Sequence, residues 1–199
     1  MDLLPLGLEL GTDAKSMGAT YIQTLKPNVT QQEALRTFSA AGLSTLYWRI
    51  RSGPLRRIAD VYVPYWLYRV HYNMGRAAHT TLFAIDAVSG SLDLFTFPHV
   101  PAAGELVSIH TRNRVAPLLQ HPCAEALLRQ KVLRAIFQQG FFKVRHLKLE
   151  IAHEPLELHV PYWLGFYGNA TVRCRAMDAV RRRIEGAKAS ALFESWLAA

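Results

Sequence analysis

Val63-Pro64-Tyr65-Trp66-Leu67 recurs unchanged as Val160-Pro161-Tyr162-Trp163-Leu164, 97 positions later. Asp86-Ala87-Val88 recurs as Asp178-Ala179-Val180, 92 positions later, so the second link is shorter. A Pro-Tyr-Trp core is too unusual to repeat by chance. It predicts two copies of one unit that together fill nearly all of the 199 residues. A period this long, present only twice, marks a duplicated small domain rather than a solenoid. The expected division is an extended arm over residues 1–24, a first repeat over 25–100 and a second over 101–199.

Spacing predicts the elements of each unit. Thr30-Gln31-Gln32-Glu33 is a capping box, in which hydroxyl and carboxylate each take an otherwise free amide. Ala34, Leu35, Phe38 and Ala41 share the next helical face, and Gly42 ends it. The counterpart is a helix over 123–139 with the stripe Leu128, Val132, Ala135 and Ile136, Pro122 at its start and Gly140 as its stop. Alternation predicts strands over 46–51 and 146–151, closed by turns at Ser52-Gly53-Pro54 and His153-Glu154-Pro155. Further strands are expected over 60–72 and 157–167, then 80–86 and 171–178, joined by a long turn at 73–78 and a short one at Gly168-Asn169. A short strand over 91–95 follows Ser89-Gly90. Ala189, Leu192, Phe193 and Trp196 mark a closing helix. In the arm, Leu4, Leu6, Leu8 and Leu10 alternate at strand period. The expected class is α+β: two tandem pseudo-symmetric repeats, each a helix followed by an antiparallel sheet of three to four strands.

The repeated strands are apolar on both faces. Val61, Val63, Tyr65 and Leu67 point one way, and Tyr62, Pro64, Trp66, Tyr68 and Val70 the other. Water on one side would impose polar alternation. A helix can cover one face, and the other needs a partner lobe, a second protomer or a ligand. Each large side chain left wet would forgo ~1.5–3 kcal/mol. Pro64 and Pro161 lack an amide hydrogen and so fit an edge, a bulge or a strand start.

With those motifs in order, the first repeat resembles the PepSY domain family over residues 30–97. The matching stretches are Thr30-Gln31-Gln32-Glu33-Ala34-Leu35, Tyr65-Trp66-Leu67-Tyr68-Arg69-Val70 and Ile85-Asp86-Ala87-Val88-Ser89-Gly90. Residues 112–199 resemble a diverged second copy, with Arg181-Arg182-Arg183 where the glycine turn belongs. The resemblance implies a non-catalytic binding or inhibitory module and supplies no catalytic residues. Asp86 and Gly90 are expected to make a turn, the carboxylate accepting amides and the glycine adopting positive φ.

The 23 Lys+Arg against 15 Asp+Glu leave a formal charge of +8. Arg173, Arg175, Arg181, Arg182 and Arg183 form the densest cluster, a candidate anion- or nucleic-acid-binding patch, with a plain solvated face as the ordinary reading. No phosphate loop, nucleophile elbow or zinc-protease helix is present, which points away from an enzyme. His153, Glu157 and His159 would share a strand face, but Pro155 interrupts them, so neither metal nor cofactor is expected. Cys123 near a helix start has no evident base. Two unmatched cysteines and no basic leader make the cytoplasm the expected compartment, although an exported chain without its leader would read the same. The leading expectation is therefore a protein- or peptide-binding scaffold, with a second copy of itself among the possible partners. Tyr62, Trp66, Tyr68, Trp163 and Tyr167 are its contact residues. The anion-binding arginine patch is the alternative.

Overall fold

In this computed structural model, which describes residues 19–40, 50, 52–74, 77–139, 148–168 and 173–198, the two Val-Pro-Tyr-Trp-Leu segments lie side by side. The strands are β1 (Thr20–Leu25), β2 (Leu55–Met74), β3 (Ala77–Asp86), β4 (Phe95–Phe97), β5 (Leu106–Thr111), β6 (Leu149–Tyr167), β7 (Arg173–Asp178) and β8 (Arg183–Ile184). The helices are α1 (Gln31–Ser39), α2 (His121–Gln139) and α3 (Ala187–Ala198). The fold is mixed α+β, with a mostly antiparallel sheet in the order β4-β3-β2-β6-β1-β5 and with β7 and β8 added on the β6 side. Among the described residues, no helix is long and apolar enough to cross a membrane.

β2 and β6 form the spine. They run antiparallel along their whole lengths, with Val63 opposite Val160, Tyr62 opposite Pro161 and Pro64 opposite His159. β3 lines the later half of β2, and β7 lines the later half of β6. The prolines sit inside this spine rather than at a strand start, at the point where each strand changes neighbour. Tyr62 exchanges backbone bonds with Asn113 and Val115, whereas the Pro64 carbonyl accepts from Ala87 just beyond β3. Pro161 accepts from Ala179 in the same way. A residue at such a junction can lack an amide hydrogen without breaking a ladder.

Several sequence expectations shift. The turn expected at His153-Glu154-Pro155 is a bulge inside β6, where the register moves between Trp66–Glu157 and Leu67–Glu154. Pro155 cannot donate, so the chain skips it and continues as one strand. The long turn expected at 73–78 is shorter, because pairing continues to Met74 opposite Ala77. The short strand expected over 91–95 begins instead at Phe95, since the Leu92 amide is drawn to the Asp86 carboxylate. Leu35 and Ala135, placed on helix core faces, are exposed. The expected strand over 46–51 and the positions Leu4, Leu6, Leu8, Leu10, Ala41, Gly42 and Gly140 lie almost wholly outside the described residues.

The core fills both faces of the spine. α2 lays Ala124, Leu128, Val132 and Ile136 against Tyr68, Val70 and Ile85. α1 lays Ala34 and Phe38 against Tyr167, Met177 and Ala179. Each of these helices therefore covers the sheet region nearer the other end of the chain. Gly165 makes the second contact possible, because a Cβ there would come within 3.0 Å of the Phe38 ring. On the opposite face Val63, Tyr65, Val160, Tyr162 and Phe166 pack with Phe193 of α3 and with Phe95. The cover that the two-sided apolar strands require comes from the chain itself.

Candidate functional site

The five aromatic residues expected to meet a partner are distributed through this core. Tyr68 and Tyr167 are buried, and Tyr62, Trp66 and Trp163 are partly so. Trp66 donates through Nε1 to the Leu119 carbonyl just ahead of α2 (3.0 Å), and Trp163 donates to the Val29 carbonyl just ahead of α1 (3.0 Å). Each indole thus fastens the entry to a helix. Tyr167 donates to the Phe38 carbonyl (3.1 Å), and Tyr62 donates to Asp60 (3.0 Å). The set forms anchors for the helices rather than one continuous exposed face.

Tyr68 belongs to a small aromatic-imidazole cluster. The rings of His121 and His153 meet at 4.2 Å, Trp66 lies 4.3 Å from His121, and the Tyr68 hydroxyl is 3.3 Å from His121 Nδ1. Burial, followed by the His121 ring, pulls the His153 pKa below its usual value, while burial pushes the Tyr68 phenol up to about 12. At the centre of the spine the Tyr65 and Tyr162 hydroxyls share a hydrogen bond of 2.8 Å, and burial raises both phenols far above the ordinary range. The Tyr65, Tyr68 and Tyr162 phenols stay protonated at physiological pH and hold the fold.

The arginine cluster is divided in the same manner. Arg175 is buried. Arg181 lies over the Phe95 ring at 3.5 Å and donates to the Leu94 carbonyl. Arg182 pairs with Glu33 (2.8 Å), and Arg183 pairs with Asp93 (2.7 Å) and Glu185 (3.0 Å). Arg173 is exposed at the start of β7. Carboxylates and carbonyls within the chain take up most of the charge that an external phosphate would need. Of the histidines considered as ligands, His153 is exposed, whereas His159 is buried against the Gln23 carbonyl (3.2 Å). Among the described residues no cluster of three or more His, Cys, Asp or Glu side chains could hold a metal ion. Cys123 is exposed, and Cys174 is buried with its thiol pushed up to about 12 by desolvation and Glu194.

Among the described residues, one surface left unpaired is a strand edge. β5 pairs only with β1 among the described residues, from Thr20 opposite Thr111 to Leu25 opposite Leu106. The Lys26 amide donates to the Glu105 carbonyl at 3.0 Å. In a regular antiparallel ladder that bond turns the amides of Val107, Ile109 and Thr111 toward β1 and those of Leu106, Ser108 and His110 outward. One face of the ribbon carries Tyr21, 78% exposed and 4.7 Å from the His110 ring, together with Gln23 bonded to Ser108 (2.7 Å). The other carries Ile22, buried, with Ile109 and the 38%-exposed Val107. Neither β1 nor β5 was expected from the sequence, although the β-branched Val107, Ile109 and Thr111 carry a strand signal. Comparison with protein-family models, with curated proteins and with solved structures finds no match to this chain.

Proposed function

We propose that this chain is a non-catalytic protein- or peptide-binding module, built from a duplicated helix-plus-sheet unit, that captures an extended segment along β5. The observation that carries the reading is the chemistry of the sheet edges. Unpaired strand edges normally carry charge or proline to discourage pairing. Among the described residues, the unpaired edge of β2 has Arg56 and Arg57, the unpaired edge of β6 has Glu150, Pro155 and Glu157, and β4 at the other end of the sheet is only the short Phe-Thr-Phe followed by Pro98. β5 is Leu-Val-Ser-Ile-His-Thr, without a fixed charge or a proline. An extended peptide added there gains main-chain bonds from the outward amides and side-chain contacts from Tyr21 and Val107.

The duplicated architecture is part of the same proposal. The 97-residue offset superimposes the β2–β6 ladder on itself, bringing Val63 beside its counterpart Val160 and Tyr65 to its counterpart Tyr162. Matched bonds from Trp66 and Trp163, and from Ala87 and Ala179, support a two-fold relation about that point. The formed capping box at Thr30 and the Asp86-to-Gly90 turn accord with a PepSY-like first repeat.

Selection of a displayed random peptide library on the purified protein tests the binding reading. Selected peptides should slow hydrogen exchange at Leu106, Ser108 and His110. Ser108→Pro, which removes an outward amide at an edge that tolerates proline, should abolish binding without changing the circular dichroism. Peptides that leave β5 exchange untouched, or a library that yields no binder, would overturn the proposal.

A further inference from the structure

We infer that in the free chain β5 is closed by the chain's own residues 4–10, added parallel to it as a removable edge strand that an incoming peptide must displace. This rests on the strand-capture reading above and supplies its regulation. The segment lies outside the described residues, and its pattern fits this edge in one way. Leu4, Leu6, Leu8 and Leu10 alternate with Pro5, Gly7 and Glu9. In a strand, side-chain face and amide direction alternate together, so the four leucines share one face and turn their amides to one side. Pro5 has no amide hydrogen to give and belongs on the other side, away from the neighbouring strand. The leucine amides therefore point at β5. In a parallel pair, residues that bond toward the neighbour stand opposite neighbour residues that bond away from it. Leu6, Leu8 and Leu10 then stand opposite Val107, Ile109 and Thr111, and bond to the outward groups of Leu106, Ser108 and His110. That register puts the leucines on the face of Ile22 and the exposed Val107. Antiparallel addition would set them on the polar face instead, over Ser108 and His110 beside Gln23 and Tyr21.

The connection agrees with the same direction. β1 starts at Thr20, opposite Thr111 at the end of β5. A segment parallel to β5 finishes at that end, two strand spacings from β1, or about 10 Å. Residues 11–19 reach up to about 30 Å and include Gly11 and Gly18, so they can round the end of β5. An antiparallel segment would finish beside Leu106, and most of that reach would be spent running back along β5. Residues 4–10 also bring the guard that β5 lacks. Once added, their outer edge presents Pro5 and Glu9, a proline and a charge, which discourage further pairing. Of residues 1–18 three are acidic and one is basic, in a chain of formal charge +8, so the long-range field draws them toward the body.

Hydrogen exchange in the full-length chain tests the register itself. In the wild type the Ser108 and His110 amides should exchange about tenfold slower than unpaired amides, as an edge closed roughly nine-tenths of the time requires. Leu8→Pro removes an amide that faces β5. It should return both amides to the unpaired rate and raise the affinity of library-selected peptides about tenfold. Gly7→Pro removes an amide that faces outward and should leave both properties at wild-type values. The gain in peptide affinity also shows that Leu8→Pro is folded. Unprotected Ser108 and His110 in the wild type overturn the inference, and so does equal sensitivity to proline at 7 and 8. Protection that grows between about 5 and 500 μM overturns it too, because the occupant then comes from a second copy. If the wild-type edge is open while peptides still slow its exchange, the occupant was misassigned and strand capture stands. If Leu8→Pro opens the edge and neither chain binds any library peptide, residues 4–10 are simply a strand of the sheet and strand capture falls.

Discussion

Asp86 and Asp178 open turns with the same first three residues, and both carboxyl groups are fully buried, yet they are held differently. Asp86 accepts from the amides of Ser89 (2.7 Å) and Gly90 (2.9 Å) on Oδ1 and from Leu92 (2.8 Å) on Oδ2. Asp178 accepts from Val180 and Arg181, both at 2.8 Å, on Oδ1, while its Oδ2 has no hydrogen-bond partner among the described residues. Desolvation accordingly lifts the Asp178 carboxyl above its ordinary value, against the pull of the Arg181 and Val180 amides and the Arg181 charge. Four residues beyond each aspartate the backbone takes positive φ, 66° at Gly90 and 59° at Arg182. The carboxylate therefore sets the turn, and whatever lies above the turn decides which residue occupies the left-handed position. α2 lies over Gly90, where a Cβ would come 2.6 Å from Leu127 Cδ1. Arg182 faces outward and reaches Glu33.

Removing the charge from each carboxylate in turn should separate the two most sharply. Asn in place of Asp86 must turn an NH₂ group toward at least one amide that now donates, leaving a buried donor without an acceptor. Asp86→Asn should cost about 2–3 kcal/mol in urea unfolding. Asp178→Asn can keep its oxygen toward the Val180 and Arg181 amides and place nitrogen at Oδ2, giving up only the long ion pair with Arg181 (3.8 Å), so its loss should be smaller, about 1 kcal/mol. Equal losses would break the comparison. The pH dependence sharpens it. A carboxyl whose pKa is raised on folding favours the folded state when protonated. Its contribution is largest below the ordinary value of 3.8 and fades as pH climbs through the folded pKa. Wild-type protein should therefore gain stability relative to Asp178→Asn as pH falls from about 6 to 4. A difference that stays flat over that range would remove the desolvated carboxylate from the account.

The left-handed positions give the next largest contrast. Gly90→Ala adds both strain and a clash under α2 and should cost about 1–2 kcal/mol. Arg182→Gly relieves strain at an open site and should gain up to about 1 kcal/mol, less the added freedom of the unfolded chain. Calorimetric melting of the two variants should move Tm in opposite directions.

These turns also show how far the residues alone could be read. Asp86, Gly90 and the capping box at Thr30 were legible because each is local chemistry: a carboxylate or hydroxyl within reach of amides a few residues away. α3 and the stripe Leu128, Val132 and Ile136 were legible from period. Non-local choices were not. Nothing near Pro64 announces that it sits where β3 gives way to residues 113–115, because that depends on a neighbour about 50 positions away. The aromatic residues carried a true signal of burial, but sequence could not say that α1 and α2 would cross to the far sheet regions and claim Trp66 and Trp163 as anchors. The arginines misled for a related reason. Arg183 is near Glu185 in sequence, but Asp93 and the Phe95 ring that engage Arg183 and Arg181 come from the first half of the chain.

The smallest expected effect isolates the last component of the contrast. Arg182→Ala keeps a side chain at positive φ, and with it the strain, but removes the ion pair with Glu33. Both partners are largely exposed, at 60% and 41%, so solvent screens the attraction. Glu33 also keeps its bond to the Thr30 amide (2.8 Å), which closes the capping box and lowers its pKa more than Arg182 does. Loss of the pair should therefore cost no more than about 0.5 kcal/mol. Because Arg182→Ala and Arg182→Gly lose the same ion pair, the difference between them measures the left-handed strain less the added freedom of the glycine-bearing unfolded chain. If Ala proves more stable than Gly at 182 by about the 0.4–1 kcal/mol of that freedom, the turn at Asp178 is unstrained, and the α2 clash dominates the cost at Gly90.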